Sequence, residues 1–134
     1  MKLSMSINKS SYRVYYEDTD SGGVVYYANY LKFAERARTD LLRSKGIIQS
    51  ELVENNDTLF VVKHVDMDLK KPARLDDLIE VSTEIMKISG ASMVMRQILR
   101  CNDIELVAVD VTIVCVNSDL KPKRLSKELR EFFV

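Results

Sequence analysis

One helix-period stretch stands between a short strand-like segment and four long ones, and that order leaves few folds open. Over residues 27–44 the apolar side chains Tyr30, Leu31, Phe33, Ala34, Ala37 and Leu41 recur at three- and four-residue spacing. This spacing predicts a helix with one broad buried face. Gly46, after the basic end Arg43-Ser44-Lys45, marks its stop. Residues 12–17 read as a first strand, and 59–69, 78–88, 92–100 and 105–116 as four more. In the first of these four, Leu59, Val61, Val65, Met67 and Leu69 share a face, with Lys63 the exception. Ser89-Gly90-Ala91 makes a hairpin of the next two, and 105–116, apolar on both faces, is expected at the sheet centre. Residues 47–53 and 125–134 read as short helices.

Strands of about eleven residues exceed the usual five or six. An antiparallel sheet of that length curls, and the long helix carries the large apolar face needed to fill its concave side. The expected fold is therefore α+β: a long central helix wrapped by a curved antiparallel five-stranded sheet, one domain over residues 1–134.

Composition narrows the function by exclusion. Lys+Arg and Asp+Glu number 20 each, so the basic stripe of a nucleic-acid binder is not expected. Cys101 and Cys115 sit in apolar alternating runs without CxxC spacing and read as small core residues of a reducing compartment. The start, Met1-Lys2-Leu3-Ser4-Met5-Ser6, lacks the apolar core of a signal peptide. The apolar tract 106–116 is too short to cross a bilayer and contains Asp110. A soluble, cytoplasmic protein is the expectation. No phosphate-cradling or dinucleotide glycine motif occurs, and a zinc site has too few clustered ligands. The single histidine, His64, has no nucleophile elbow beside it and reads as structural.

Carboxylates remain. Asp18 and Asp20 follow a strand-like segment and precede Gly22-Gly23 and the long helix. Turn aspartates commonly bond nearby amides. A sharper reading makes one of them a general base or nucleophile beside a helix start, where unpaired amides stabilise an oxyanion. The double-glycine bend between Asp20 and Tyr27 permits that approach.

The run Asp18-Thr19-Asp20-Ser21-Gly22-Gly23-Val24-Val25-Tyr26-Tyr27-Ala28-Asn29-Tyr30 resembles the signature of hotdog-fold acyl-CoA thioesterases of the 4-hydroxybenzoyl-CoA thioesterase type. The likeness is strongest to the YbgC-like, Tol-Pal-associated branch. It continues through Phe33-Ala34-Glu35-Arg36-Ala37-Arg38 and Lys71-Pro72-Ala73-Arg74-Leu75-Asp76-Asp77, and weakly to Lys121-Pro122-Lys123-Arg124.

The resemblance implies a hotdog fold and hydrolysis of acyl-CoA to free acid and CoA. It implies Asp20 as nucleophile or general base and the Tyr27 main-chain N–H as oxyanion donor, and Asp18 is left to turn structure or support. YbgC-like members usually carry histidine where this chain has Tyr27, so a step through an imidazole is not implied. Tyr26 and Tyr30 are candidate acyl-pocket residues. Ser89, Gly90, Ser92 and Arg124 are candidates for binding the nucleotide end of coenzyme A, with Arg74 and Lys123 as further charge partners. Glu35 and Arg38, three apart on the helix, are expected to pair. No metal and no cofactor beyond substrate coenzyme A is implied. Acyl carrier protein is an alternative carrier, and homodimers assembling to homotetramers are expected. The reading from a different class is a non-catalytic acyl-CoA or acyl carrier protein binding module linked to envelope maintenance.

Overall fold

The computed structural model describes residues 8–133; Val134 and the N-terminal segment through residue 7 lie outside the described residues. The elements are β1 (Asn8–Arg13), a 3-10 turn (Tyr16–Asp18), a second 3-10 turn (Tyr27–Asn29), α1 (Tyr30–Ser44) and α2 (Gln49–Asn56). They continue with β2 (Leu59–Leu69), β3 (Leu78–Ser89), β4 (Ser92–Cys101), β5 (Ile104–Val116) and α3 (Lys127–Phe133). One antiparallel sheet has the order β1-β3-β4-β5-β2, and the apolar face of α1 packs on it. The expected α+β architecture is the one observed.

The differences are local and have physical causes. The first strand lies earlier than residues 12–17, because polar Asn-Lys-Ser-Ser suits an edge strand and gives little apolar signal. Residues 15–18 leave the sheet in a turn closed by the Tyr15 N–H bond to Asp18 Oδ2, 2.8 Å. The central strand is β4; β5, for all its apolar length, lies between β4 and edge strand β2. Two expected helices shift by a few residues, 47–53 to Gln49–Asn56 and 125–134 to Lys127–Phe133.

In β2 the facing changes partway. Phe60 and Val62 pair with Cys115 and Ile113, whereas Val65, Met67 and Leu69 pair with Val111, Val109 and Val107. Opposed residues share a face, and the partners from Val107 to Cys115 form β5's core-facing row. A bulge between Val62 and His64 absorbs Lys63 and moves Leu59 and Val61 to the outer face, contrary to the expectation.

The core has two clusters along α1. Tyr30, Phe33 and Ala37 pack with Ile79, Val81, Leu99, Val107 and Val109. Leu41 and Leu42 pack with Met93, Met95, Val111 and Ile113 and with Leu129 and Phe133 of α3. Between Leu99 and Met95 on β4 stands Gln97, fully buried. Its Nε2 donates to the Ala34 carbonyl at 2.8 Å and to Thr83 Oγ1 at 3.0 Å, and its Oε1 accepts from Arg38 Nη1 at 2.9 Å. Burial holds the Arg38 guanidinium below its ordinary pKa, and Glu35 acts in the opposite sense. Glu35 attracts Arg38 as the three-residue spacing leads one to expect, while the guanidinium's hydrogen bond goes to the sheet. Gln97→Ala is expected to cost about 2–4 kcal/mol, combining a cavity with stranded polar partners. Denaturant melts of the variant against wild type check this; a loss below about 1 kcal/mol contradicts a structural role for the network.

Candidate active site

The segment carrying the two aspartates folds back on the entrance to α1. Thr19 bridges Val25, the Asp20 N–H donates to the Val24 carbonyl at 2.9 Å, and the Tyr26 N–H donates to the Asp18 carbonyl at 2.9 Å. Residues 18–20 and 24–26 therefore form a miniature antiparallel ladder. Its bend is closed by the Gly23 N–H on the Asp20 carbonyl, 3.0 Å. Gly23 has φ +79°, a conformation a side chain would strain. At Gly22 an added Cβ would stand 3.2 Å from Asp20 Oδ1, crowding the carboxylate itself.

Asp20 is anchored by one oxygen. Its Oδ1 accepts the Gly22 N–H at 2.8 Å, whereas Oδ2 takes no hydrogen bond among the described residues. The side chain is exposed. This arrangement fixes an aspartate's direction and leaves one oxygen open to attack a carbon or take a proton.

The peptide between Tyr26 and Tyr27 is fixed as well. Its carbonyl accepts the Asn29 N–H at 2.8 Å, and a planar trans peptide then points the Tyr27 N–H the opposite way. Tyr27 is the first residue of the 3-10 turn, a position whose N–H has no partner within the turn. The α-helical bonding starts three residues later than the periodicity suggests, at Tyr30 rather than Tyr27.

Tyr27 borders a shallow cleft of about 250 Å³ with Val25, Tyr30, Leu69, Lys70, Lys71 and Pro72. Tyr30 is core as much as cleft: its ring is buried and its hydroxyl accepts the Ala73 N–H at 3.0 Å. Burial pushes the Tyr30 phenol above its ordinary pKa; the Ala73 N–H opposes this, while the Asp77 and Asp20 carboxylates add to it. Among the described residues no group of three His, Cys, Asp or Glu is placed to hold a metal ion.

The family model described as the thioesterase superfamily matches residues 22–108. The chain belongs to the thioesterase superfamily. It is 44% identical over 122 residues to the acyl-CoA thioesterase YbgC of Haemophilus influenzae, covering 90% of each chain. It is likewise 44% identical over 119 residues to the acyl-CoA thioester hydrolase YbgC of Escherichia coli O6:H1, covering 87% of this chain and 88% of that one. The crystal structure of a probable thioesterase from Bartonella henselae superposes with TM-score 0.87 at 35% identity, covering 90% of this chain and all of that one. The wrapped-helix architecture is the hotdog fold of these thioesterases.

Of the other candidate residues of this thioesterase, Tyr26 and Arg74 stay beside this loop, Arg74 bridging Val24, and the nucleotide-site candidates lie at the far end of the sheet. Tyr26 is exposed and packs its ring against Tyr27, centroids 5.0 Å apart. Ser89, Gly90 and Ser92 form the β3–β4 hairpin, and Arg124 adjoins it, since the Leu125 N–H donates to the Gly90 carbonyl. Along β5, Ser92 is level with Val114 and Leu69 with Val107. At about 3.3 Å per residue the hairpin and the Tyr27 cleft are therefore roughly 23 Å apart in one protomer. Lys123 is engaged in structure: its Nζ caps the end of α2 through the carbonyls of Asn56 and Asp57. Asn29 and Lys71 stand in the motifs quoted above without a role of their own. Asn ahead of a helical run was the available signal for Asn29, and only the approach of β2's end to the helix entrance makes Lys71 a cleft residue.

Proposed function

We propose that this protein is an acyl-CoA thioesterase in which Asp20 activates water or attacks directly while the Tyr27 N–H receives the developing oxyanion. The observation that carries the reading is the pairing of an anchored, half-open carboxylate with a rigidly aimed main-chain donor on one closed loop. A thioester suits so spare a site: its leaving thiol has a pKa near 8.5 and departs readily. One oriented donor to the oxyanion supplies about 3–4 kcal/mol. On the direct route the Asp20 oxygen bonds to the acyl carbon, the thiolate departs, and water then cleaves the mixed anhydride. On the other route Asp20 takes a proton from water as the water oxygen bonds to the carbon; the tetrahedral intermediate then breaks its carbon–sulfur bond, and the departing thiolate takes up that proton. Because the donor is main chain, tyrosine in place of histidine at position 27 leaves this step intact.

Coenzyme A as carrier is supported by the names of the relatives, with acyl carrier protein as a second carrier. We assign the active assembly to a homodimer, paired further into a tetramer. Edge strand β2 exposes Val62, Val65 and Leu69, the kind of edge that seeks a partner strand. Antiparallel pairing of two copies about the middle of β2 carries one copy's Ser89–Ser92 hairpin toward the other's Tyr27 cleft. That arrangement supports a nucleotide site at Ser89, Gly90, Ser92 and Arg124 shared between subunits. Free cysteines at positions 101 and 115 support a reducing, cytoplasmic setting.

The test is release of free thiol from a panel of short, long and aromatic acyl-CoAs, read with a thiol-reactive dye. Turnover of at least one class well above the uncatalysed rate is expected. Binding without release across the whole panel would overturn hydrolysis and leave the binding-module reading.

A further inference from the structure

We infer that Asp18 is a positioning residue for thioester hydrolysis, locking the segment that carries Asp20 against the helix entrance that carries the Tyr27 N–H. The inference rests on the reading of Asp20 and Tyr27 above. Its starting point is an anomaly of burial. Turn aspartates are ordinarily solvated, yet Asp18 is 3% exposed while Asp20, two residues on, is open to solvent. A buried carboxylate is costly unless paired and bonded.

Asp18 reaches three segments. Its Oδ2 accepts the Tyr15 N–H at 2.8 Å, fixing the chain as it leaves β1. Its carbonyl accepts both the Tyr26 N–H at 2.9 Å and Asn29 Nδ2 at 3.2 Å, fixing the approach to α1. Its Oδ1 takes no hydrogen bond among the described residues and lies 3.9 Å from Lys32 Nζ.

Two features of α1 are explained by this arrangement. The helix has no side-chain N-cap bond and no acidic residue in its first turn, although both are the usual means of satisfying a helix start. It carries Lys32 there instead, a charge of the wrong sign for the macrodipole. Asp18 supplies the missing anion from outside the helix and gives Lys32 a partner. With Asn29, it also borders the peptide that aims the Tyr27 N–H: the Asn29 main-chain N–H holds that peptide's carbonyl while the Asn29 side chain donates to the Asp18 main-chain carbonyl. The two proposed reacting groups are thus registered through one buried residue that touches neither substrate nor the reacting atoms.

The test compares steady-state hydrolysis by wild type, Asp18→Ala, which removes both the acceptor of the Tyr15 N–H and the charge beside Lys32, and Asn29→Ala, using an acyl-CoA the wild type turns over, with Asp20→Asn alongside. Both positioning variants are expected to lose roughly 10- to 100-fold in kcat with KM within about twofold, the signature of misplacement rather than lost binding. Thermal melts confirm that each is folded; if Asp18→Ala is not, Asn29→Ala decides, since among the described residues its side chain makes one bond, to the Asp18 main-chain carbonyl. kcat within about twofold of wild type in the folded variants, or a rise in KM alone, overturns the inference. Loss in Asp20→Asn with no change at Asp18 and Asn29 sinks this inference only. Full activity in Asp20→Asn sinks the reading beneath it.

Discussion

Asp20→Asn is expected to lose thioester hydrolysis by roughly 100- to 10,000-fold, the range for removing a positioned base, with its fold intact. Asparagine is nearly isosteric and keeps an oxygen able to accept the Gly22 N–H, so the bend that holds residue 20 survives. What disappears is the charge and the open basic oxygen. Because the side chain is exposed and outside both core clusters, stability is expected to stay within about 0.5 kcal/mol of wild type. The discriminating measurement is kcat and KM together: a collapse of kcat with KM little changed marks a group needed in the transition state. Activity near wild type in the folded variant refutes the assignment of Asp20.

The largest expected effect on stability is at Phe33. Its side chain is fully buried, sits on the face of α1 that meets the sheet, and lies against Tyr12 with ring centroids 6.2 Å apart. Phe33→Ala removes a large apolar surface from the centre of the first cluster and leaves a space the stiff sheet cannot close. A loss of about 3–5 kcal/mol is expected, which is a large share of the 5–15 kcal/mol typical of a whole domain. The corresponding fall in Tm is roughly 10–20 °C. Activity should fall with it near physiological temperature, since Phe33 holds the helix whose entrance carries the Tyr27 N–H. A change in Tm under about 5 °C contradicts the view that α1 is the filling of the sheet.

The fold was legible because its signals are local and mutually consistent. Apolar residues at helical spacing between 30 and 41, and long strand-like runs after residue 59, leave one way to bury everything. What stayed hidden was decided by pairing rather than by pattern. The β2 bulge flips Leu59 and Val61 outward only because Lys63 is skipped in register with β5. The edge position of β2 and the centrality of β4 follow from strand order, to which the hydrophobicity of β5 is blind.

At the site, the sequence pointed to Asp20 and Tyr27 through a motif. The same resemblance leaves turn structure or support to Asp18, but the burial that separates the two aspartates is not written in the motif: Asp18 is enclosed and Asp20 is not. Helical spacing pairs Arg38 with Glu35 alone. Only the third dimension brings Gln97, fifty-nine positions away, against its guanidinium. The hairpin at Ser89–Ser92 lies at the other end of the sheet from the Tyr27 cleft, a relation that no spacing along one chain encodes.

The most direct test of the central claim is a crystal structure of Asp20→Asn with an intact acyl-CoA bound. The account predicts the thioester oxygen about 2.7–3.1 Å from the Tyr27 nitrogen, with the side chain of residue 20 facing the carbonyl carbon. A thioester bound with its oxygen turned away from that N–H, or held beyond reach of residue 20, contradicts it.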